Sequence, residues 1–111
     1  MKLVVIESPY AGDVERNLRY LRAAMRDCLR RGEAPFASHW LYTQPGVLLD
    51  NDEAERTLGI EAGLAWGAKA DLVAVYDDLG ITKGMGLGIT RAKVEGRWVT
   101  FRRLPGWGVA E

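Results

Sequence analysis

The stretch "DLVAVYDDLGITKG", residues 71–84, decides how this chain folds. Leu72 to Tyr76 form an unbroken apolar run. A strand that is apolar on both faces belongs inside a parallel sheet with covered faces. Asp77 and Asp78 end the run and a glycine-bearing loop follows. A helix is then expected from roughly Gly84 to Lys93, weak by propensity because Gly86 and Gly88 each cost about 1 kcal/mol against alanine.

The same pattern repeats upstream. "KLVVIE", residues 2–7, is a second continuous apolar run and reads as another buried strand. "SPYAGD" breaks it, with Pro9 and Gly12 supplying the turn. A helix follows from about Asp13 to Arg31, with Val14, Leu18, Leu21, Met25, Cys28 and Leu29 as one apolar stripe and Gly32 as its stop. "APFASHWLY", residues 34–42, reads as the next strand and its exit, and "TQPGVLLDND" as a loop. Another helix is expected from about Asp52 to Ala68. "RWVTFRRL", residues 97–104, alternates apolar and polar side chains and reads as a last strand at a sheet edge. "LPGWGVAE" looks like a tail in which Trp107 docks either on the domain or on a partner.

The order β-α-β-α-β-α-β predicts an α/β fold: a three-layer, Rossmann-like (flavodoxin-like) parallel sheet of about four to five strands with helices on both faces. Its 111 residues suffice for one domain over 1–111. Hydrophobic residues at 48% and charged residues at 27% are an ordinary globular balance. Zero formal net charge favours neither a nucleic acid polymer nor a membrane surface. No apolar run is long enough to span a bilayer and no secretory leader pattern opens the chain. The lone cysteine, Cys28, and the absence of any Cys/His cluster at metal-ligand spacing point to a reducing cytoplasm and no metal. No Walker loop or GxGxxG motif is present and no cofactor is expected.

In parallel sheets of this kind ligands bind at the carboxyl ends of the strands, which selects three loops. In "SPYAGD", Ser8, Pro9, Tyr10 and Gly12, with Arg16 one turn into the helix, are candidates for holding an anion at a helix start. In "SHWLYTQ", Ser38 offers a hydroxyl, His39 a general base, and Trp40 and Tyr42 stacking rings, or simply packing. In "DDLGITKG", Asp77 and Asp78 end a buried strand, where a carboxylate is costly without a partner or a task, and Thr82, Gly84 and Met85 open the next helix.

With these residues in view, the chain resembles the nucleoside 2-deoxyribosyltransferase-like superfamily. More narrowly it is similar to a branch of small phage and bacterial proteins, through "SPYAGDVERNLRYLRAAMRDCLRRGEAPFASHWLYTQPG", "ERTLGIEAGLAW" and "VYDDLGITKGM". The resemblance implies a nucleoside or nucleotide ligand and a homodimer or higher homo-oligomer. It also implies a catalytic glutamate separated by three residues from the glycine of the third loop. Thr82 and Gly84 match that loop, but the glutamate falls at about Gly88. Three functions follow as alternatives. One is a nucleotide binder, in a phage setting a sequestering protein. The second is an N-glycosidase or deoxyribosyltransferase with a substitute acid drawn from Asp77, Asp78, Glu55, Glu61 or Glu7, with His39 available to activate water. The third is a non-catalytic interaction domain.

Overall fold

The computed structural model describes residues 1–108. In chain order the elements are β1 (Leu3–Glu7), α1 (Val14–Arg30), β2 (Ala34–Phe36), α2 (Ser38–Leu41), α3 (Glu53–Gly67), β3 (Leu72–Tyr76), α4 (Lys83–Val94) and β4 (Trp98–Arg102). The four strands form one parallel sheet in the order β2-β1-β3-β4. The two continuous apolar runs are the two central strands, and the alternating segment is an edge, as expected of strands covered on both faces and on one.

Strand alternation assigns the sheet's two faces. Val4, Ile6, Leu72, Ala74 and Tyr76 pack with Tyr20, Leu21, Ala24 and Cys28 of α1. Val5, Val73 and Val75 pack with Met85, Ile89 and Ala92 of α4 on the other side. Asp13 caps α1 by accepting from the Arg16 N–H, and Thr82 caps α4 by accepting from the Met85 N–H at 3.3 Å. The stripe of α1 is centred on Asn17, Tyr20, Leu21, Ala24 and Cys28; Leu29 lies on its exposed border. Because the side chain of a helical residue leans over the preceding turn, small Ala24 and amide-bearing Asn17 can face the sheet where an apolar count alone passes over them.

The expected second strand is shorter than its sequence suggests. "APF" pairs with Leu3–Val5, and Ser38–Leu41 then turn into one helical turn. The physical reason lies in α3, which crosses above this segment. Gly63 leaves the space that the Ser38 side chain fills, and a Cβ there would lie 2.6 Å from Ser38 Oγ. Trp107 docks on the domain itself, its ring 5.1 Å from that of Tyr20. Residues 109–111 of the expected tail lie outside the described residues. No helix among the described residues is long and apolar enough to cross a membrane.

Candidate functional site

The order 2-1-3-4 reverses direction between β1 and β3, the switch point where an open parallel sheet leaves a crevice. A cavity of about 330 Å³ lies there. β1 contributes Glu7, and the turn after it Ser8 and Tyr10. The one-turn α2 contributes Ser38 and His39, the α2–α3 segment Tyr42 and Asp50, and α3 Glu55, Arg56 and Ile60. The start of α4 closes the wall with Thr82, Lys83, Gly84 and Met85. Carbon atoms of these side chains form most of the wall surface while their polar groups converge on the space, the make-up of a small-molecule site.

The structure therefore brings Ser8, Tyr10, Ser38, His39, Thr82, Gly84 and Met85 together around one space. Pro9, Gly12, Arg16 and Trp40 stand outside it. Gly12 and Arg16 are exposed, and the first turn of α1 is already served by the Asp13 carboxylate, which takes the place an external anion would need. Trp40 follows His39 on the α2 turn. A helix rotates successive side chains by about 100°, so Trp40 faces α1, where Arg22 lies over its ring at 5.1 Å.

Asp77 and Asp78 also lie away from the cavity lining, and both have structural partners. Asp78 continues the face of Tyr76, towards α1. Its Oδ2 accepts from the Tyr20 hydroxyl at 2.7 Å and the Leu104 N–H at 2.8 Å, while its own N–H donates to Tyr20 at 2.9 Å. Asp77 accepts from Arg103 Nε at 3.0 Å.

The acid at the cavity floor is Glu7. It continues the face of Val5, pairs in register with Val75 and points towards α4. Its carboxyl has no hydrogen-bond partner among the described residues, and burial pushes its pKa up from 4.5 to about 8 against a weaker pull from Arg97. Arg97 is itself engaged by the Glu95 carboxylate. His39 is hydrogen-bonded through Nε2 to Ser8 Oγ at 2.7 Å. Burial lowers its pKa to about 4, so the imidazole is neutral at physiological pH. Glu55 accepts from the Leu49 N–H at 2.9 Å and braces the α2–α3 segment, whereas Asp50 has no hydrogen-bond partner among the described residues. Arg56 and Lys83 are exposed at the rim, with no carboxylate partner among the described residues. Among the described residues no group of three or more His, Cys, Asp or Glu could hold a metal ion.

Glu7 enters the sequence reading as one of five candidate substitute acids, and the argument that favours Asp77 and Asp78 there applies to it equally, since it too ends a buried strand. Tyr42 and Lys83 lie in the second and third strand-end loops that the sequence selects, Tyr42 as a ring able to stack on a base; Arg56 carried no such signal, and only the packing of α3 against α2 brings it to the strand ends.

The family model "Domain of unknown function (DUF7768)" matches residues 2–102. No curated protein matches the chain. Among solved structures it is similar to the 2-deoxyribosyltransferase of the psychrotolerant bacterium Bacillus psychrosaccharolyticus, at 16% identity and a TM-score of 0.69 over 98% of this chain and 77% of that one. It is also similar to the CMP N-glycosidase BcmB of Clostridium botulinum, at 11% identity and a TM-score of 0.54 over 95% of this chain and 71% of that one. At such identities the likeness is one of fold.

Proposed function

We infer, for a chain that belongs to the DUF7768 family and shares its fold with a 2-deoxyribosyltransferase and a CMP N-glycosidase, that it binds a nucleoside or nucleoside monophosphate. One observation carries this reading: the cavity sits at the strand switch point and gathers polar groups and rings of the kinds a nucleoside needs. Tyr10 and Tyr42 supply faces for a base. Ser8, Ser38 and the neutral His39 supply hydroxyl and imidazole partners for sugar oxygens. Lys83 and the free N–H groups at the start of α4 suit a phosphate, with Arg56 across the opening. This moves the anion from the "SPYAGD" turn, where sequence alone would put it, to the opposite wall.

Thermal shift against 2′-deoxynucleosides, dCMP and CMP tests the reading. A ligand at about 100 times its dissociation constant adds roughly 2.7 kcal/mol, which for a domain of this size is on the order of 10 °C. Lys83→Ala with Arg56→Ala should reduce the shift given by a monophosphate to that of the nucleoside and spare that given by the nucleoside. No shift across the panel would refute the reading.

A further inference from the structure

Position 88, on the second turn of α4, is a glycine with an ordinary helical backbone, so no turn geometry requires it. Its requirement comes from β1. A Cβ built on Gly88 would overlap Oε2 of Glu7, and would lie 2.6 Å from its Cδ and 3.2 Å from Oε1. The Glu7 carboxyl therefore occupies the volume that any side chain at position 88 would take. The exchange is reciprocal. A residue at 88 would have projected into this crevice from the helix; here a carboxyl reaches the same place from the neighbouring strand.

That carboxyl also stands between two spaces. In front of it is the 330 Å³ cavity; behind it is a second cavity of about 70 Å³ lined by Gly63, Gly67, Gly84, Gly88 and Arg97. It lines both and is hydrogen-bonded to nothing described. A structural carboxylate in such a place would be expected to carry its own donors. The other acids near the strand ends differ. Asp78 and Asp77 are held by Tyr20, Leu104 and Arg103, and Glu55 by the Leu49 N–H.

We propose that Glu7 is the catalytic acid of this site, delivered from the end of β1 into the space vacated at Gly88, and that the bound nucleoside or monophosphate is cleaved at its glycosidic bond. The proposal rests on the binding reading above and adds chemistry to it. Glu7 enters the step protonated, as burial favours. As the bond between the anomeric carbon and the base nitrogen breaks, its electron pair leaves with the base, and the Glu7 proton is transferred to the base. A water molecule adds its oxygen to the anomeric carbon and gives one proton to the Glu7 carboxylate, which restores the starting acid. One water is consumed, and free base and free sugar (or sugar phosphate) are released, with no oxidant or reductant involved.

The charged and titratable groups sharing the space with Glu7 are Arg97 before β4, His39 on α2, Asp50, Tyr10 and Tyr42 on loops, Glu55 and Arg56 on α3, and Lys83 on α4. His39 stays neutral above pH 5, so it contributes no charge change near the alkaline limb assigned to Glu7.

The test uses the full chain with CMP, dCMP and 2′-deoxycytidine, reading free cytosine by chromatography and binding by thermal shift. The expected result is cytosine release by the wild type that falls at least 100-fold in Glu7→Gln, while the ligand-induced shift persists and Asp77→Asn, outside the cavity lining, stays within tenfold of wild type. Release by the wild type should also decline about tenfold per pH unit above about 8, a profile that stands in for the variant if Glu7→Gln does not fold. A shift with the ligand recovered intact would overturn the chemistry and leave the binding reading standing. So would release in Glu7→Gln within threefold of wild type, or an alkaline limb that is absent. No shift and no cytosine would overturn both.

Discussion

Glu33 and Glu7 are the same residue type on opposite sides of one sheet, and their surroundings drive them in opposite directions. On the α1 side, Glu33 receives two bonds of 2.7 Å from the Arg102 guanidinium, and this pairing holds its carboxyl below the ordinary range. The same Arg102 reaches the Tyr76 hydroxyl at 3.1 Å, which donates to Asp27 at 2.7 Å, so the buried polar groups on this side form a closed network. On the α4 side, Glu7 has burial without a donor and is pushed up to about 8. The difference teaches that a buried acid is diagnostic of function only after its partners are known. A satisfied network reads as architecture; a carboxyl facing a cavity without donors reads as a site.

The largest effect that can break this contrast lies in the network. Arg102→Met leaves Glu33 without its cation and should cost about 3–5 kcal/mol. The denaturant midpoint should fall with an unchanged slope; a loss under 1 kcal/mol would mean that the two sides are not energetically different. Tyr20→Phe removes the hydroxyl that both donates to Asp78 and accepts from its backbone, and should cost about 1–3 kcal/mol in the same assay.

Glu7→Gln should go the other way, increasingly as pH rises above about 5. The folded protein holds the Glu7 proton more tightly than the unfolded chain does, so its contribution to stability falls as pH rises from about 4.5 towards about 8. His39 acts in the opposite sense: its folded value of about 4 lies below 6.5, so stability falls as pH drops through that window. The two slopes oppose each other between pH 4.5 and 6.5, and the wild type should show a stability plateau there. Melting curves of Glu7→Gln should match the wild type near pH 5 and exceed it by about 1 kcal/mol or more at pH 9. Equal curves at pH 9 would remove the unpartnered carboxyl from the account.

The smallest effect sharpens the reciprocity of positions 7 and 88. Gly88→Ala should destabilise the wild type by displacing the Glu7 carboxyl. In a Glu7→Ala background the same change should stabilise by up to about 1 kcal/mol through helix propensity. Additivity across this double-mutant cycle would show that the two positions do not compete for space.

Much of this fold was legible. "KLVVIE" and "DLVAVYDD" announce central parallel strands because covered strands have no polar face to display, and "RWVTFRRL" announces an edge by its alternation. The short β2 was not, because "APFASHWLY" is apolar enough for a longer strand. Only the packing of Ser38 against Gly63 of α3, far along the chain, shows why the segment coils instead. Around the cavity, the strand-end rule selected Ser8, Tyr10, Ser38, His39, Thr82, Gly84 and Met85, since chain order alone places those loops at one rim. It could not divide Asp77 and Asp78 from Glu7, for which face parity was needed. Asp78 shares the parity of Tyr76 and turns to α1, while Glu7 shares that of Val5 and turns to the crevice.

The central claim, an undercompensated carboxyl poised in a ligand cavity, is tested most directly by following the Glu7 side-chain carboxyl carbon by NMR across pH, free and with CMP or 2′-deoxycytidine. The account predicts a midpoint of about 8 in the free protein and a resonance that moves when the ligand enters. A midpoint near 4.5, unmoved by either ligand, would contradict it.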